Sequence, residues 1–330
     1  MQHISDNFTY LIGIDSGGTK SELMVWRKAD LAPENQVSDE QLVAQAVATV
    51  RHDGMNLDGI SDQEATSRLL FMLEEAARTL EMSVSELAKQ SFLVLGMAGL
   101  DTDLDTDNAE RWITQSLTQH DLNLSYALIS DVELGLWAGT RTGQGIVLIA
   151  GTGSNCFGRN SQGEIRKAGG LSHFFSDEGG GFMLGWEALH FVGKMFDGRE
   201  AKTPLYEIVL DELGVSSFAE LKQAIVRSQD SKQAVARVAP AVQRASEAGD
   251  ALAQHLITKA ISELEAMVVH VHDGLGESLS VSFVGGLFKH GPYAERLHDR
   301  LGKKGIQSHE THIEHPVTGS IWFWRDQQAG

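Results

Sequence analysis

The chain contains 330 residues, of which 42% are hydrophobic and 22% are charged, and its formal net charge is −18. This length is sufficient for two domains with a large apolar core. The negative charge argues against nucleic acid and against an anionic membrane as partners. The net charge does not exclude a small anionic ligand such as ATP, because backbone N–H donors next to the ligand can outweigh the field of distant charges.

Cysteine usage and hydropathy narrow the class of protein further. Cys156 is the single cysteine, so the chain can form no internal disulfide and no cysteine-ligated zinc or iron–sulfur site. We expect Cys156 to be a small buried residue rather than a nucleophile. The polar start over residues 1–7 lacks the pattern of a signal peptide, and no apolar run approaches the ~20 residues that span a bilayer. These features predict a cytoplasmic enzyme.

The first half of the chain alternates strands and helices. Ser61 and Glu64 have the spacing of a capping box at the start of a helix. A continuous apolar run at 92–96 is typical of a strand that is covered on both faces. The order of elements predicts a mixed sheet with helices on both sides. The predicted strands are 10–14, 22–26, 42–50, 92–96 and 126–130, and the predicted helices are 61–80, 108–119 and 132–141.

The pattern restarts at Gly145 with an apolar strand, a glycine turn and two further strands that end near Lys167. A helix over 232–247 should kink or break at Pro240. The restart predicts a domain duplication, with domains 1–143 and 144–330, a hinge near 140–145, and a C-terminal helix that packs back on the first domain. The other predicted elements are helices 218–227 and 251–271 and a strand over 280–284.

Two glycine-rich turns, 15–20 and 151–155, each follow a short apolar strand. Glycine lets backbone N–H groups approach a phosphate closely, and the Thr and Ser hydroxyls add donors. A plain hairpin is the alternative for either turn taken singly. Neither turn opens a helix with the spacing of a Walker A loop or a dinucleotide fingerprint. Two such turns, one in each half, predict a nucleotide-using enzyme.

These turns, together with the segment 169–179, resemble the N-acetylglucosamine kinases. Those proteins form part of the BadF/BadG/BcrA/BcrD group in the actin-like ATPase superfamily, which also holds sugar kinases and chaperones. The similarity extends from about residue 13 to about residue 319. It implies two duplicated actin-like (ribonuclease H-like) α/β domains with a cleft between them. It also implies an ATP-dependent kinase that phosphorylates the 6-hydroxyl of an amino sugar, most simply N-acetylglucosamine.

Asp131 stands where an apolar strand meets a helix. A carboxylate there can cap the helix, whereas the resemblance implies a general base that takes the proton of the sugar hydroxyl. Asp15 ends the first strand, where it can stabilise its own turn or hold Mg²⁺ through water.

The resemblance also implies the other ligand contacts. In the nucleotide site, Gly285 and Gly286 would support the adenosine and the remaining residues would contact phosphates. The implied nucleotide contacts are Gly17, Gly18, Thr19, Lys20, Thr152, Gly153, Ser154, Gly285 and Gly286. The implied sugar contacts are Asn56, Asp131, Gly153, Asn155, Gly170 and Asp177.

The chain departs from the animal-type kinases near the predicted sugar contacts. No aromatic residue accompanies Asn56, and Leu171-Ser172 replaces a Trp-Gly pair. Glucosamine and N-acetylmuramic acid therefore stay open as substrates. An ATPase without a sugar acceptor is the rival function, although relatives of that kind hold an iron–sulfur cluster with cysteines. Relatives suggest a homodimer.

Overall fold

The computed structural model describes residues 8–31, 37–57, 59–228, 230–289 and 292–329. The chain divides into two compact units. One unit runs to Gln144 and takes in the residues from Ile313 onward, while the other comprises Gly145–His312. The polar start over 1–7, on which the signal-peptide expectation rests, lies outside the described residues. Within the described residues, no helix is long and apolar enough to cross a membrane.

The first unit contains a five-stranded mixed sheet in the order β3-β2-β1-β4-β5. Strands β1, β2 and β3 pair antiparallel, whereas β1, β4 and β5 pair parallel. All seven residues of β4 are buried, as its apolar run predicts. The strands are β1 (Tyr10–Ser16), β2 (Lys20–Arg27), β3 (Ala48–Asp53), β4 (Ser91–Met97) and β5 (Ser125–Ser130).

Helices cover both faces of this sheet and create two apolar cores. The core on one face includes residues of α2, α3 and α4. The core on the other face includes Trp26, Trp137 and Trp322, the last from the C-terminal helix Gly319–Ala329. The remaining helices of the unit are α1 (Asp39–Ala44), α2 (Asp62–Thr79), α3 (Val84–Lys89), α4 (Asp103–Gln119) and α5 (Asp131–Thr140).

The prediction of a strand over 42–50 is wrong in its first part. Leu42 belongs to α1, which begins after an N-cap at Ser38, and the strand starts only at Ala48. Ser38 and Gln41 form a capping box, a signal that outweighs the apolar alternation of the segment. The helix predicted over 108–119 also begins earlier, at Asp103, where Thr102 is the N-cap.

The second unit repeats the arrangement with the sheet order β10-β9-β6-β7-β8. Strand β6 pairs antiparallel with β7 and parallel with β9, as β1 does with β2 and β4. The predicted fold class of two duplicated α/β units with mixed sheets is therefore confirmed. The strands are β6 (Gly145–Ala150), β7 (Ser154–Arg159), β8 (Ile165–Gly169), β9 (Val281–Val284) and β10 (Ser308–Ile313).

The second unit is richer in helices than the sequence reading predicted. The predicted break at Pro240 is confirmed, because α9 ends at Ala236 and a new helix begins at Ala239. Helices α6, α7 and α12 were not predicted. The helices are α6 (Gly181–Phe196), α7 (Pro204–Glu212), α8 (Phe218–Val226), α9 (Ser231–Ala236), α10 (Ala239–Glu247), α11 (Ala251–Leu275) and α12 (Tyr293–Gly302).

Candidate active site

The first glycine turn closes the β1–β2 hairpin. The backbone N–H of Gly17 donates to the carbonyl of Lys20 at 3.0 Å. The hydroxyls of Ser16 and Ser21 lie 2.9 Å apart in a buried position. An alanine Cβ at Gly18 would contact nothing within 4 Å, so the backbone of this turn is open on the side where a ligand could approach it.

The loop after β3 is fastened to the first turn. The backbone N–H of Met55 donates to the hydroxyl of Ser16 at 2.9 Å, and the hydroxyl of Ser21 donates to the carbonyl of Asp53 at 3.1 Å. Gly54 packs so closely that a Cβ there would lie 2.2 Å from the carbonyl oxygen of Gly17. This packing brings the predicted sugar contact Asn56 to the same edge of the sheet as the first turn.

Asp15 and Asp131 come from strands that are separated by β4. Asp15 aligns with Gly96, which aligns with Ile129, so Asp131 begins its helix just beyond that level. The pKa of Asp15 is raised to about 7, first by burial and then by the negative charge of Asp131. A carboxyl group whose pKa is raised by burial and by a second carboxylate at a strand edge is typical of a catalytic or cation-binding site.

Glu22 is a third carboxylate at this edge, and the sequence did not single it out. It lies opposite Asp15 in the β1–β2 pair and also raises the pKa of Asp15, while Lys20 lowers it. The carboxylate of Glu22 contacts Arg51 Nη2 at 2.8 Å and His315 Nδ1 at 2.8 Å. These pairs link the end of β2 to the residues that precede the C-terminal helix.

Ser130, rather than Asp131, is the N-cap of α5. The hydroxyl of Ser130 accepts the backbone N–H of Glu133 at 3.2 Å. Asp131 is the first residue of the helix, and its Oδ1 accepts the adjacent N–H of Val132 at 2.8 Å. The alternative of Asp131 as a simple N-cap is therefore wrong. A carboxylate in the first turn is still favoured by the positive end of the helix.

The second glycine turn is attached to the start of α6. The N–H groups of Gly181 and Phe182 donate to the carbonyls of Gly151 and Thr152, each at 2.8 Å. The hydroxyl of Ser154 donates to the carbonyl of Glu178 at 2.7 Å. These bonds hold the turn in a defined position, so the predicted phosphate contacts Thr152, Gly153 and Ser154 lie on a rigid support.

The side chain of Asp177 supports the second turn. It is only 4% exposed and its backbone has a φ of 74°. Its Oδ1 accepts the N–H of Ser154 at 3.1 Å, and its Oδ2 lies 2.8 Å from Lys232 Nζ. A Cβ at Gly153 would lie 2.4 Å from Asp177 Oδ1. The sequence predicted Asp177 as a sugar contact and missed its partner Lys232.

Asn155 and Gly170 lie against each other. The N–H of Gly170 donates to the carbonyl of Ser154 at 3.0 Å, and the φ of Gly170 is 80°. A Cβ at Gly170 would lie 2.2 Å from Asn155 Nδ2. Among the described residues, nothing donates a hydrogen bond to the buried Oδ1 of Asn155. An unsatisfied buried acceptor of this kind favours a ligand that donates to it.

Gly285 follows β9 at the edge where the second turn follows β6. Its φ is 112°, and a Cβ would lie 2.4 Å from the carbonyl oxygen of Ala150. Only glycine fits this close approach without strain. Gly286 then begins a short 3₁₀ turn, Gly286–Phe288. This places the predicted adenosine contacts at the carboxyl ends of adjacent parallel strands, the edge at which α/β sheets commonly bind ligands.

The residues of the first unit fit a magnesium ion that is held mostly by water and phosphate. Among the described residues, no group of three or more His, Cys, Asp or Glu side chains could hold a metal directly. Mg²⁺ commonly keeps several waters and uses one or two protein carboxylates. The charge of Asp131 raises the pKa of Asp15, and a nearby cation would oppose that effect.

Duplicated α/β units with a glycine turn after the first strand of each have the arrangement of the actin-like fold. A match to the BadF/BadG/BcrA/BcrD ATPase family covers residues 12–321, and the chain belongs to this family.

The single buried thiol, Cys156, is 0% exposed. The prediction of a small buried residue is therefore confirmed, and burial raises the pKa of its thiol.

The most similar relatives include two kinases. The chain is 29% identical over 259 residues to the N-acetylmuramic acid/N-acetylglucosamine kinase of Clostridium acetobutylicum, covering 77% of this chain and 76% of the relative. It is 24% identical over 304 residues to the N-acetyl-D-glucosamine kinase of Dictyostelium discoideum, covering 90% of each. A solved structure of a candidate N-acetylglucosamine kinase from Chromobacterium violaceum has the same fold, with a TM-score of 0.71, 22% identity, and coverage of 96% and 98%.

Proposed function

We propose that this protein is an ATP-dependent kinase that phosphorylates the 6-hydroxyl of an amino sugar, with N-acetylglucosamine as the first candidate. The pair of Asp15 and Asp131 beside the first glycine turn is the observation that supports this most strongly. The names of the two kinase relatives support the class of substrate. We further propose a cytoplasmic homodimer.

Asp131 is the proposed general base. Its carboxylate takes the proton of the sugar 6-hydroxyl as the oxygen bonds to the γ-phosphorus of ATP. The bond from that phosphorus to the β–γ bridging oxygen breaks, and ADP leaves with the electron pair. A positioned base of this kind typically contributes about 10²–10⁴-fold. The N-cap of α5 is Ser130, and Asp131 follows it as the first residue of the helix.

The two turns are the proposed phosphate contacts. Gly17, Gly18, Thr19 and Lys20 act in the first unit, and Thr152, Gly153 and Ser154 act in the second. Phosphoryl transfer depends mainly on positioning and electrostatic stabilisation, and backbone donors on rigid supports supply both. Gly285 and Gly286 are the proposed contacts of the adenosine.

Asp15 is the proposed magnesium contact, through a bound water. When present, the ion would neutralise charge on the phosphates of ATP. Asp15 itself would remain ionised in that state, because a nearby cation lowers the pKa of a carboxyl group. The Lys20 charge, which already lowers the pKa of Asp15, acts in the same direction.

The proposed sugar contacts are Asn56 in the first unit and Gly153, Asn155, Gly170 and Asp177 in the second. The unsatisfied Oδ1 of Asn155 suits a sugar hydroxyl as donor. Asp177 is already bonded to Ser154 N and Lys232, so we propose that it acts by holding the second turn and by accepting a hydroxyl with its remaining lone pairs.

The acceptor sugar decides between this function and its rivals. We expect ATP consumption to rise at least ~10²-fold when N-acetylglucosamine is added, since positioned acceptors outcompete water. A coupled ADP assay across N-acetylglucosamine, glucosamine, N-acetylmuramic acid and glucose measures this. ADP formation that is independent of every sugar would instead indicate an ATPase that couples hydrolysis to other work.

A further inference from the structure

The first unit contains a cavity of about 240 Å³ at the carboxyl end of its parallel strands. Its lining includes Leu57, which follows the proposed sugar contact Asn56, and Ala98, which follows β4. The N–H of Ala98 donates to the carbonyl of Ser16 at 2.8 Å, so the cavity adjoins the first glycine turn. The residue that directly follows the proposed sugar contact Asn56 therefore borders the cavity.

The remaining wall of the cavity combines an aromatic ring with polar side chains. The indole of Trp112 is buried and fixed, because its Nε1 donates to the carbonyl of Asp62 and to the hydroxyl of Thr66, both at 3.1 Å. Charged and carboxamide groups surround this ring. The polar lining residues are Asp62, Asp105, Asn108, Arg111 and Gln115.

Arg111 is the cation among the described residues that line this cavity, and its side chain is exposed. It donates to neutral oxygens of its own helix. Its Nε donates to the carbonyl of Asp107 at 3.3 Å, and its Nη2 donates to Oδ1 of Asn108. Neither contact neutralises the guanidinium. The carboxylate of Asp105 is satisfied elsewhere, since its Oδ2 accepts the N–H and the hydroxyl of Thr102 at 2.9 and 2.7 Å.

Asp62 is an acidic residue of the lining that lies at the start of a helix. It is the first residue of α2, where the positive end of the helix offsets a carboxylate. The guanidinium of Arg111 and the carboxamides of Asn108 and Gln115 are the lining side chains with N–H groups that can donate to an acidic ligand. Guanidinium binds carboxylate in a planar, two-point geometry.

We propose that Arg111 is a specificity residue that binds an acidic substituent on the amino sugar, such as the carboxylate of N-acetylmuramic acid. This rests on the proposed kinase function and adds a second part of the substrate to it. The reacting hydroxyl lies at Asp131, whereas the acidic group occupies the cavity beyond Asn56. N-acetylglucosamine, which lacks the acidic group, leaves Arg111 unused.

The test compares kcat/KM for N-acetylmuramic acid and for N-acetylglucosamine in the wild type, Arg111→Met and Arg111→Lys. A lost charge-assisted contact typically costs about 10–150-fold in affinity. We expect Arg111→Met to lower kcat/KM for the acidic sugar by about that factor and to leave the neutral sugar within about threefold. Arg111→Lys should lower kcat/KM for the acidic sugar by a smaller factor. Arg78→Met is the matched control, because Arg78 is an exposed residue of α2 that pairs with Glu75.

Three outcomes would overturn the proposal while leaving the kinase function intact. One is a wild type that phosphorylates N-acetylglucosamine but not N-acetylmuramic acid. Another is an Arg111→Met variant that keeps the wild-type ratio of the two kcat/KM values. The last is an equal loss for both sugars, which would indicate a structural role. A wild type that phosphorylates neither sugar would instead overturn the proposed function.

Discussion

Asp15 and Asp131 lie at one edge of the first sheet, where the charge of Asp131 raises the pKa of Asp15. Gly96 stands between them in the register, on the intervening strand β4. A Cβ at Gly96 would lie 2.4 Å from Leu134 Cδ2. The absence of a side chain at Gly96 therefore lets α5 pack against the sheet and brings its first residue, Asp131, close to Asp15.

This relationship predicts how Asp131→Asn changes stability with pH in the metal-free protein. The pKa of Asp15 is raised from 3.8 to about 7. Its stabilising contribution is therefore present below about pH 4 and is lost as the pH rises through about 7. Asparagine at position 131 removes one cause of the raised pKa, so less stability is lost. As the pH rises from about 4 to about 7, we expect the stability of the variant to increase relative to that of wild type by about 1 kcal/mol or less.

Thermal unfolding at several pH values in the presence of a chelator measures this difference. Asp107→Asn is the control, because Asp107 is an exposed aspartate of α4 in the same unit. The control should follow the wild-type pH dependence. Parallel curves for Asp131→Asn and wild type would show that Asp15 does not sense the charge of Asp131.

Ser130→Ala separates the helix cap from the proposed base. Ser130 accepts the N–H of Glu133, while Asp131 does not cap α5. Loss of a serine cap costs about 0.5–2 kcal/mol, so we expect a lower Tm. Turnover should stay within about twofold of wild type, since the cap takes no part in proton transfer. Steady-state kinetics at a temperature well below Tm checks this, and a loss of turnover as large as that of Asp131→Asn would contradict the assignment.

Gly18→Ala tests whether the first turn binds phosphate. Because a Cβ at Gly18 meets nothing within 4 Å in the protein, the substitution should leave Tm unchanged. A phosphate that approaches the backbone would meet the new methyl group, so we expect KM for ATP to rise by about tenfold, equivalent to about 1.4 kcal/mol. An unchanged KM for ATP would remove this turn from the phosphate site.

Gly153→Ala should have a different signature in the second unit. Its Cβ would lie 2.4 Å from Asp177 Oδ1, and the hydrogen bond from Ser154 N to that atom would be displaced. Overpacking of this kind typically costs about 1–3 kcal/mol. Gly151→Ala is the matched control, because a Cβ there contacts nothing within 4 Å. Calorimetry of both variants would contradict this account if they unfolded at the same temperature.

Strong local signals in the sequence predicted much of the fold. Some elements depend mainly on residues that are adjacent in sequence. The structure confirms the strands predicted from the apolar runs at β4 and β6 and the helix break predicted at Pro240. Other elements depend on distant partners. Helix α6 begins at Gly181, where its N-cap Gly180 offers no side-chain cap. That helix is anchored instead by carbonyls of the second turn, which no local pattern indicates.

The candidate site divides in the same way. The glycine turns after β1 and β6 and the position of Asp131 where a strand meets a helix were predicted from sequence, because each follows a short apolar strand. The cap at Ser130 was missed, since Ser and Asp are both good N-cap residues and only the backbone decides between them. Lys232 lies far from Asp177 in sequence, and Glu22 resembles an ordinary strand residue, so their contacts required the fold.

The most direct test of the central claim follows the phosphoryl group and Asp131 together. Uniformly ¹³C-labelled N-acetylglucosamine is incubated with ATP, Mg²⁺ and either wild type or Asp131→Asn, and carbon–phosphorus coupling is read by NMR. We predict coupling at C6 with wild type and at least ~10²-fold slower product formation with Asp131→Asn, at a sugar KM close to that of wild type. Coupling at C1, or turnover of Asp131→Asn within about threefold of wild type, would contradict the assignment of Asp131 as the base for the 6-hydroxyl.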